Sequence, residues 1–454
     1  VRGFRSWKSA GNGVYVLLVR AQLGDLTMRK NMRTAVAVTI PVAVLLVLLG
    51  FVLGRSSLAG ENEDDRARRL EILRSVPYTS VTEEKVNPGH SGVIIHEPGK
   101  AYRGYNIYCS RVSPEVLLID MTGEVVHRWT YPEADEKYWD HTMMLPNGDV
   151  IVIVKFNQLL RLDWHSNLVW SKRMEAHHDV AATKRNTLYV IERGIETYRG
   201  LQVRFPSIVH LTSDGEEIER WSTYDHLNEI RRMFDQRSFL DTVLDSMLAH
   251  GSLEEISVSL VDRPEADMTH QGRIRYDYFH LNTITVLPET PLGQRDNRFK
   301  AGNLLICFRN VNQIGVLESG SWEPVWAWGE GILDWPHHPT LLENGNILLF
   351  DNGMRRQYSK VLELDPATGR VEWEYTGTPR ESFYTYNKGS SQRLPNGNTL
   401  ICEGNDGRVF EVTRDSEIVW EWLNPMLKDG RRVQVYRMMR LDPEIVEPLL
   451  AADE

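Results

Sequence analysis

The sequence predicts an all-β fold, a six-bladed β-propeller with an N-terminal transmembrane helix and a helical insertion between blades. Three observations carry this reading. Strands that end in tryptophan recur at Glu124-Val-Val-His-Arg-Trp129, Asn167-Leu-Val-Trp170, Glu217-Ile-Glu-Arg-Trp221, Glu323-Pro-Val-Trp326, Arg370-Val-Glu-Trp373 and Glu417-Ile-Val-Trp420. Asn-Gly turns recur at Leu145-Pro-Asn-Gly-Asp149, Leu342-Glu-Asn-Gly-Asn346 and Leu394-Pro-Asn-Gly-Asn398, with weaker copies at Lys184-Arg-Asn186 and Ala301-Gly-Asn303. The tryptophans are 41, 51, 105, 47 and 47 residues apart. Four of these intervals suit a four-stranded blade of about 40–50 residues, and the long one suits a blade plus an insertion. Asn-Gly is a strong hairpin signal because both residues accept positive φ. Tryptophan at a fixed repeat position is expected to pack one blade against the next, where aromatic area dominates.

In chain order, residues 1–33 form an expected cytoplasmic N-terminus, of which 1–27 precede Met28-Arg29-Lys30 and look like an upstream start-site artefact. Residues 34–54 are uncharged and mostly apolar. At about 1.5 Å per residue they reach across a hydrocarbon core of roughly 30 Å. A cleaved signal peptide is the rival, but its apolar core is shorter, about 7–15 residues. Arg29, Lys30 and Arg33 stand before the segment, and Glu61, Glu63, Asp64 and Asp65 follow it. Positive-inside logic therefore places the chain as a single-pass protein of the cytoplasmic membrane, its propeller on the periplasmic or extracellular side. Residues 55–87 are expected as a stalk, 88–445 as the propeller, and 446–454 as a tail. The segment Arg432–Arg437 is expected to close the ring by pairing near residues 92–96.

The insertion is placed at 223–275. Leu227, Ile230 and Phe234 suggest one helix, and Leu240, Val243, Leu244, Met247 and Leu248 a second. Such a pair either covers one mouth of the propeller or decorates it away from the site. Bulk properties narrow the function classes. A net charge of −10 argues against nucleic-acid binding. Cys109, Cys307 and Cys402 have neither zinc-ligand nor redox spacing, so they are expected as buried small side chains, with no metal and no cofactor implied.

Histidine placement carries the chemistry. His141, His178 and His338 each stand eight residues before the end of a turn, and His280 opens the blade with the long loop 287–300. Equivalent points on innermost strands converge on the axis, so these four are candidate catalytic residues. The alternative is a repeated capping role towards neighbouring backbone. Lys155, Arg193 and Arg309 follow the second strand of other blades, and Asn352 and Arg356 follow His338. They are candidate anion-binding residues, since the guanidinium fork suits tetrahedral oxyanions. The alternative for the arginines is pairing with acidic neighbours such as Asp351 and Glu192.

The stretch His338-Pro-Thr-Leu-Leu-Glu-Asn-Gly-Asn-Ile-Leu-Leu-Phe-Asp-Asn-Gly353 with Arg356 resembles the bacterial arylsulfotransferases. So do Ser391-Gln-Arg-Leu-Pro-Asn-Gly-Asn-Thr-Leu-Ile401 and the closing Val435-Tyr-Arg437. The resemblance spans residues 90–440. It implies a six-bladed propeller outside the cytoplasmic membrane that moves a sulfuryl group between phenols, from aryl sulfates, through a sulfohistidine. By motif it assigns His338 and Arg356 to one His/Arg pair, and by blade position it matches His178 and His280 to the others. The last blade departs from the pattern, with Ser390 or Ser391 and no histidine after His338. His280 is then the expected nucleophile, because it lacks the adjacent histidine found at His177/His178 and His337/His338. The rival functions are a non-enzymatic membrane-tethered scaffold or ligand-binding module and, with a poorer fit, a quinoprotein-like dehydrogenase.

Overall fold

The structure, a computed structural model, describes residues 80–134, 139–198, 201–234 and 275–453. All of them lie in one compact unit, Ala67–Glu454. Six antiparallel sheets follow one another as blades, five of them four-stranded and the last five-stranded. The innermost strands of blades 2 to 6 are Trp139–Met144, Ala176–Ala182, Leu281–Val286, Pro336–Leu341 and Ser390–Arg393. All six repeat tryptophans lie on the fourth strand of their blade, counted from the innermost.

The second strands explain why the blades stack. Val150–Val154, Leu304–Phe308 and Ile347–Asp351 are buried along their whole length. A strand covered on both faces reads as an apolar run without alternation. Trp129 of blade 1 is fully buried in a cluster with Val150, Val152 and Val154 of blade 2. Partly exposed Trp170 and Trp373 instead donate their indole N–H to a neighbouring blade's turn, at Ser213 O and Arg414 O, both 2.9 Å.

The turns form as expected, but for a different reason. Only the glycines take positive φ, 85° at Gly148, 88° at Gly345 and 89° at Gly397. Each preceding asparagine instead accepts a backbone hydrogen bond two residues on, as Asn344 Oδ1 does from Asn346 N at 2.9 Å.

Ring closure differs from the expectation. Met438–Leu441, not 432–437, is the innermost strand of blade 1, antiparallel to Tyr105–Cys109. Gly92–His96 becomes a fifth, outer strand of blade 6, paired with Ile418–Leu423. Residues 80–86, expected in the stalk, bind the closing segment through Thr82 N to Arg432 O at 2.8 Å and Val86 N to Gly430 O at 2.9 Å. Residues 446–453, expected as a tail, belong to the helix Pro443–Asp453, which buries Val446 against blades 1 and 2. Gly92–His96 thus covers the outer edge of Ile418–Leu423, which would otherwise stay unpaired.

Of the insertion, the helix Leu227–Met233 is present, with Leu227, Ile230 and Phe234 buried beside Trp221 and Phe308. The second expected helix, the anchor at 34–54 and most of the stalk lie outside the described residues. No described helix is long and apolar enough to cross a membrane. A three-stranded sheet was not foreseen. The hairpin Ile195–Tyr198 and Leu201–Arg204 pairs in parallel with Arg275–Asp277, immediately before His280.

Candidate functional site

The histidines converge, though only His141 and His338 share one register position. Each turn opens with one backbone hydrogen bond: Leu145 N to Asp149 O, Thr183 N to Thr187 O, Leu287 N to Asn303 O, Leu342 N to Asn346 O and Leu394 N to Asn398 O. Counted back from these, the register position of His338 is held by His141, Asp179, Thr283 and Ser390. His178 stands one residue earlier because Asn186, with φ 58°, fills the place of a turn glycine. His280 stands three residues earlier, before the strand begins. His178, His280 and His338 all have positive φ, 64°, 51° and 48°. For residues with a Cβ this is a strained conformation that the surrounding structure must enforce.

Two groupings result. In the first, His280 Nδ1 lies 2.7 Å from Asp277 Oδ2, and its backbone N donates to Asp277 Oδ1 at 3.0 Å. The carboxylate accepts, so Nδ1 carries the proton and Nε2 the lone pair. The His178 ring is centred 4.7 Å from that of His280 and also 4.7 Å from that of His177. A narrow pocket joins them, lined by Phe156, His177, His178, Arg193, Arg204, Pro206, Asp277, His280 and Leu281. Arg193 lies 4.3 Å above the Phe156 ring and pairs with Glu175 at 2.7 Å. Lys155 lies 5.4 Å above the same ring.

In the second grouping, His141 Nε2 and Arg437 Nη1 both reach Asp179 Oδ1, at 3.2 and 2.7 Å. Tyr436 bridges the groupings, its hydroxyl 3.0 Å from His178 Nδ1. His338 donates from Nδ1 to Ser391 O at 3.0 Å, a contact with the next blade's backbone of the capping kind. Arg437 and Asp179 are nonetheless the leading charges acting on its ring.

The remaining candidates are placed as follows. Arg309 is buried, its backbone N 3.1 Å from His280 O. Asn352 accepts from His337 Nδ1 at 2.6 Å and donates to Thr385 O and Lys388 O, so it holds the blade 5 loop. Arg356 pairs with Asp351 Oδ2 at 2.8 Å and donates to the carbonyls of Tyr358 and Asp351. It takes the acidic-neighbour alternative and does not line the pocket with His178 and His280. Arg193 does line it, although it pairs with Glu175 and not with Glu192, which binds Arg220.

Burial sets the protonation states. It holds His178 and His338 well below the ordinary imidazole range, helped by His177 and His280 at the first and by Arg437 at the second. His177 and His337 are lowered to about 3, chiefly by burial. His141 is lowered by burial and Arg437 against the pull of Asp179. Burial alone would raise Asp179, but Arg437 and the hydrogen bond from His141 outweigh it and hold the carboxyl well below its usual range. The result is a set of neutral imidazoles with lone pairs available, close to fixed positive charge.

Sequence reasoning missed Asp277, Asp179, Tyr436 and Arg437 as site residues. Three signals were present: a carboxylate three residues before His280, a carboxylate directly after His178, and Arg437 within the quoted Val435-Tyr-Arg437. Among the described residues no group of histidines, cysteines and carboxylates has the arrangement of a metal site.

Comparison with known proteins adds one family assignment. A family model described as arylsulfotransferase (ASST) matches residues 141–424. No curated protein matches the chain. Similar solved structures include a protein of unknown function from Bacteroides caccae, with 12% identity and a TM-score of 0.46 over 75% of this chain and 99% of that one. A streptogramin B lyase has 10% identity and a TM-score of 0.41, covering 80% and 97%. A virginiamycin B lyase from Staphylococcus aureus with quinupristin has 10% identity and a TM-score of 0.40, covering 76% and 88%.

Proposed function

The chain belongs to the arylsulfotransferase family, and from that premise we propose that it moves a sulfuryl group from an aryl sulfate to a phenol through a channel histidine. The observation that carries the proposal is the Asp277–His280 hydrogen bond of 2.7 Å beside His178 in one pocket. Asp277 fixes the tautomer, so His280 Nε2 presents its lone pair as a nucleophile. In the first half-reaction a bond forms from Nε2 to sulfur and the sulfur–oxygen ester bond breaks. The electron pair leaves on the aryl oxygen as a phenolate, and Asp277 offsets the positive charge of the sulfo-imidazolium. In the second half, the acceptor phenol gives its proton to His178 and its oxygen attacks sulfur. The nitrogen–sulfur pair returns to His280, and the proton reaches the released phenolate through solvent. Lys155 and Arg193 around Phe156 supply positive charge near an aryl binding surface.

The test is a chromogenic aryl sulfate with a phenol acceptor, added to the full chain. Wild type should release the chromophore and form the new ester, and rapid quenching should trap a labile sulfuryl adduct on His280. His280→Asn should lose donor cleavage and transfer together. A fully active His280→Asn overturns the nucleophile assignment. The second reading, a ligand-binding module, is favoured by Ser390 at the register position of His338. A wild-type chain inert towards every aryl sulfate tried selects it. The proposal places the propeller outside the cytoplasmic membrane, tethered through residues 34–54, on the charge asymmetry around that apolar run.

A further inference from the structure

The segment that brings Tyr436 and Arg437 into the site belongs to no strand. Arg431–Arg432 ends a short hairpin and Met438–Leu441 is paired in blade 1, but residues 434–437 between them are irregular backbone. Buried backbone of this kind needs partners for its polar groups. On one side blade 6 and the chain leaving it supply them: Val435 N donates to Gly404 O at 3.1 Å, and Val433 N donates to Met426 O at 2.9 Å. On the other side stands Ser80–Val86.

Thr82 meets one residue twice. Its backbone N donates to Arg432 O at 2.8 Å, and its hydroxyl accepts from Arg432 N at 3.1 Å. Val81 faces Val433 in an antiparallel bridge, and Val86 N donates to Gly430 O at 2.9 Å. Gln434 is the joint. Only 1% exposed, it donates from its backbone N to Ser80 O at 2.9 Å and from its side chain to Val81 O at 3.0 Å. Its Oε1 accepts from Lys388 Nζ at 2.5 Å. Two residues later comes Tyr436, whose hydroxyl holds His178.

The attachment is polar and local. Val81 and Val86 stay partly exposed, and Glu83, Glu84 and Lys85 are exposed. The ring closes without it, through Met438–Leu441 on Tyr105–Cys109. An element held by hydrogen bonds with little apolar burial opens at a lower free energy than the core beneath it.

We propose that Ser80–Val86 is a detachable strap that positions the site: docked on residues 430–434, it orders 434–437 and so sets Tyr436 against His178 and Arg437 against Asp179. Undocked, Gln434 keeps Lys388 and loses the partners of two N–H groups. The strap lines no part of the pocket, so Thr82 and Gln434 are positioning residues. Its effect on turnover rests on the sulfuryl-transfer reading; the ordering of 434–437 does not.

Hydrogen exchange of the full chain, read by mass spectrometry, tests the ordering without turnover. Thr82→Pro removes both groups that Arg432 uses. Amides of residues 433–437 should then exchange at least tenfold faster than in wild type, while Val150–Val154 keep their protection. Thr82→Ser keeps both groups and should behave as wild type. Thr82→Val removes only the hydroxyl, should give a smaller change in the same direction, and serves if Thr82→Pro is unfolded. Unchanged exchange at 433–437 in the folded variants, equal acceleration at Val150–Val154, or no protection of 433–437 in wild type each overturns the strap. With an aryl sulfate, kcat should fall by about tenfold or more in Thr82→Pro and be retained in Thr82→Ser. An unchanged kcat beside accelerated exchange overturns the positioning role. A wild type that cleaves no aryl sulfate removes the transfer reading, and hydrogen exchange still decides the strap.

Discussion

His280 depends on its partner for direction as much as for charge. Asp277 fixes which ring nitrogen keeps the lone pair, so Asp277→Asn should leave the pocket in place and lower the donor-cleavage kcat by about 10²-fold or more. The pH profile is a second readout. Protonation removes the lone pair that His178 needs as a base, and burial holds its pKa below the ordinary imidazole value. Activity should therefore persist as pH falls through about 6.5 and be lost only at lower pH. An acid limb centred at about 6.5 or above would show that no buried imidazole serves as the base. These roles were only partly legible in the sequence. His178 and His280 announce themselves as histidines at blade entries. The Asp277 role depends on a three-residue strand added in parallel to an inserted hairpin, a long-range pairing that no local pattern encodes.

At the scale of the element, the tryptophan strands show what the repeat signal meant. Trp129 is fully buried between blades 1 and 2, and its indole N–H has no hydrogen-bond partner. Its value is therefore area and shape. Trp129→Ala should cost about 3–5 kcal/mol in denaturant unfolding, whereas Trp129→Phe should cost less than roughly 2 kcal/mol, because it removes an unsatisfied donor along with some volume. Equal costs would mean that the indole nitrogen matters in a way the packing does not explain. The Asn-Gly turns were legible for the same reason the tryptophans were, since their chemistry is local. The closing strand was not. Val433, Val435, Met438 and Leu441 offer several apolar registers, and the choice of Met438–Leu441 follows from pairing with Tyr105–Cys109, over three hundred residues away.

At the scale of the molecule, the described chain from residue 80 onward supplies a ring closed by Met438–Leu441, with Gly92–His96 added outside blade 6. If residues 34–54 are the membrane attachment, a fragment starting near residue 76 should partition into the soluble fraction without detergent. The full chain should sediment with membranes. A fragment that still sediments would place a second membrane contact on the propeller itself.

The sequence by itself determined the number of blades, the strand that carries each tryptophan, the turn positions and the family. These rest on spacing and on short-range chemistry, which one chain displays along its length. Tertiary structure alone decided which strand closes the ring, which arginine is already neutralised and which histidine meets a carboxylate. Those outcomes turn on charges and edges brought together from distant blades. Arg356 and Arg309 look alike in the sequence, and only Asp351 beside the first and Trp335 beneath the second set them apart.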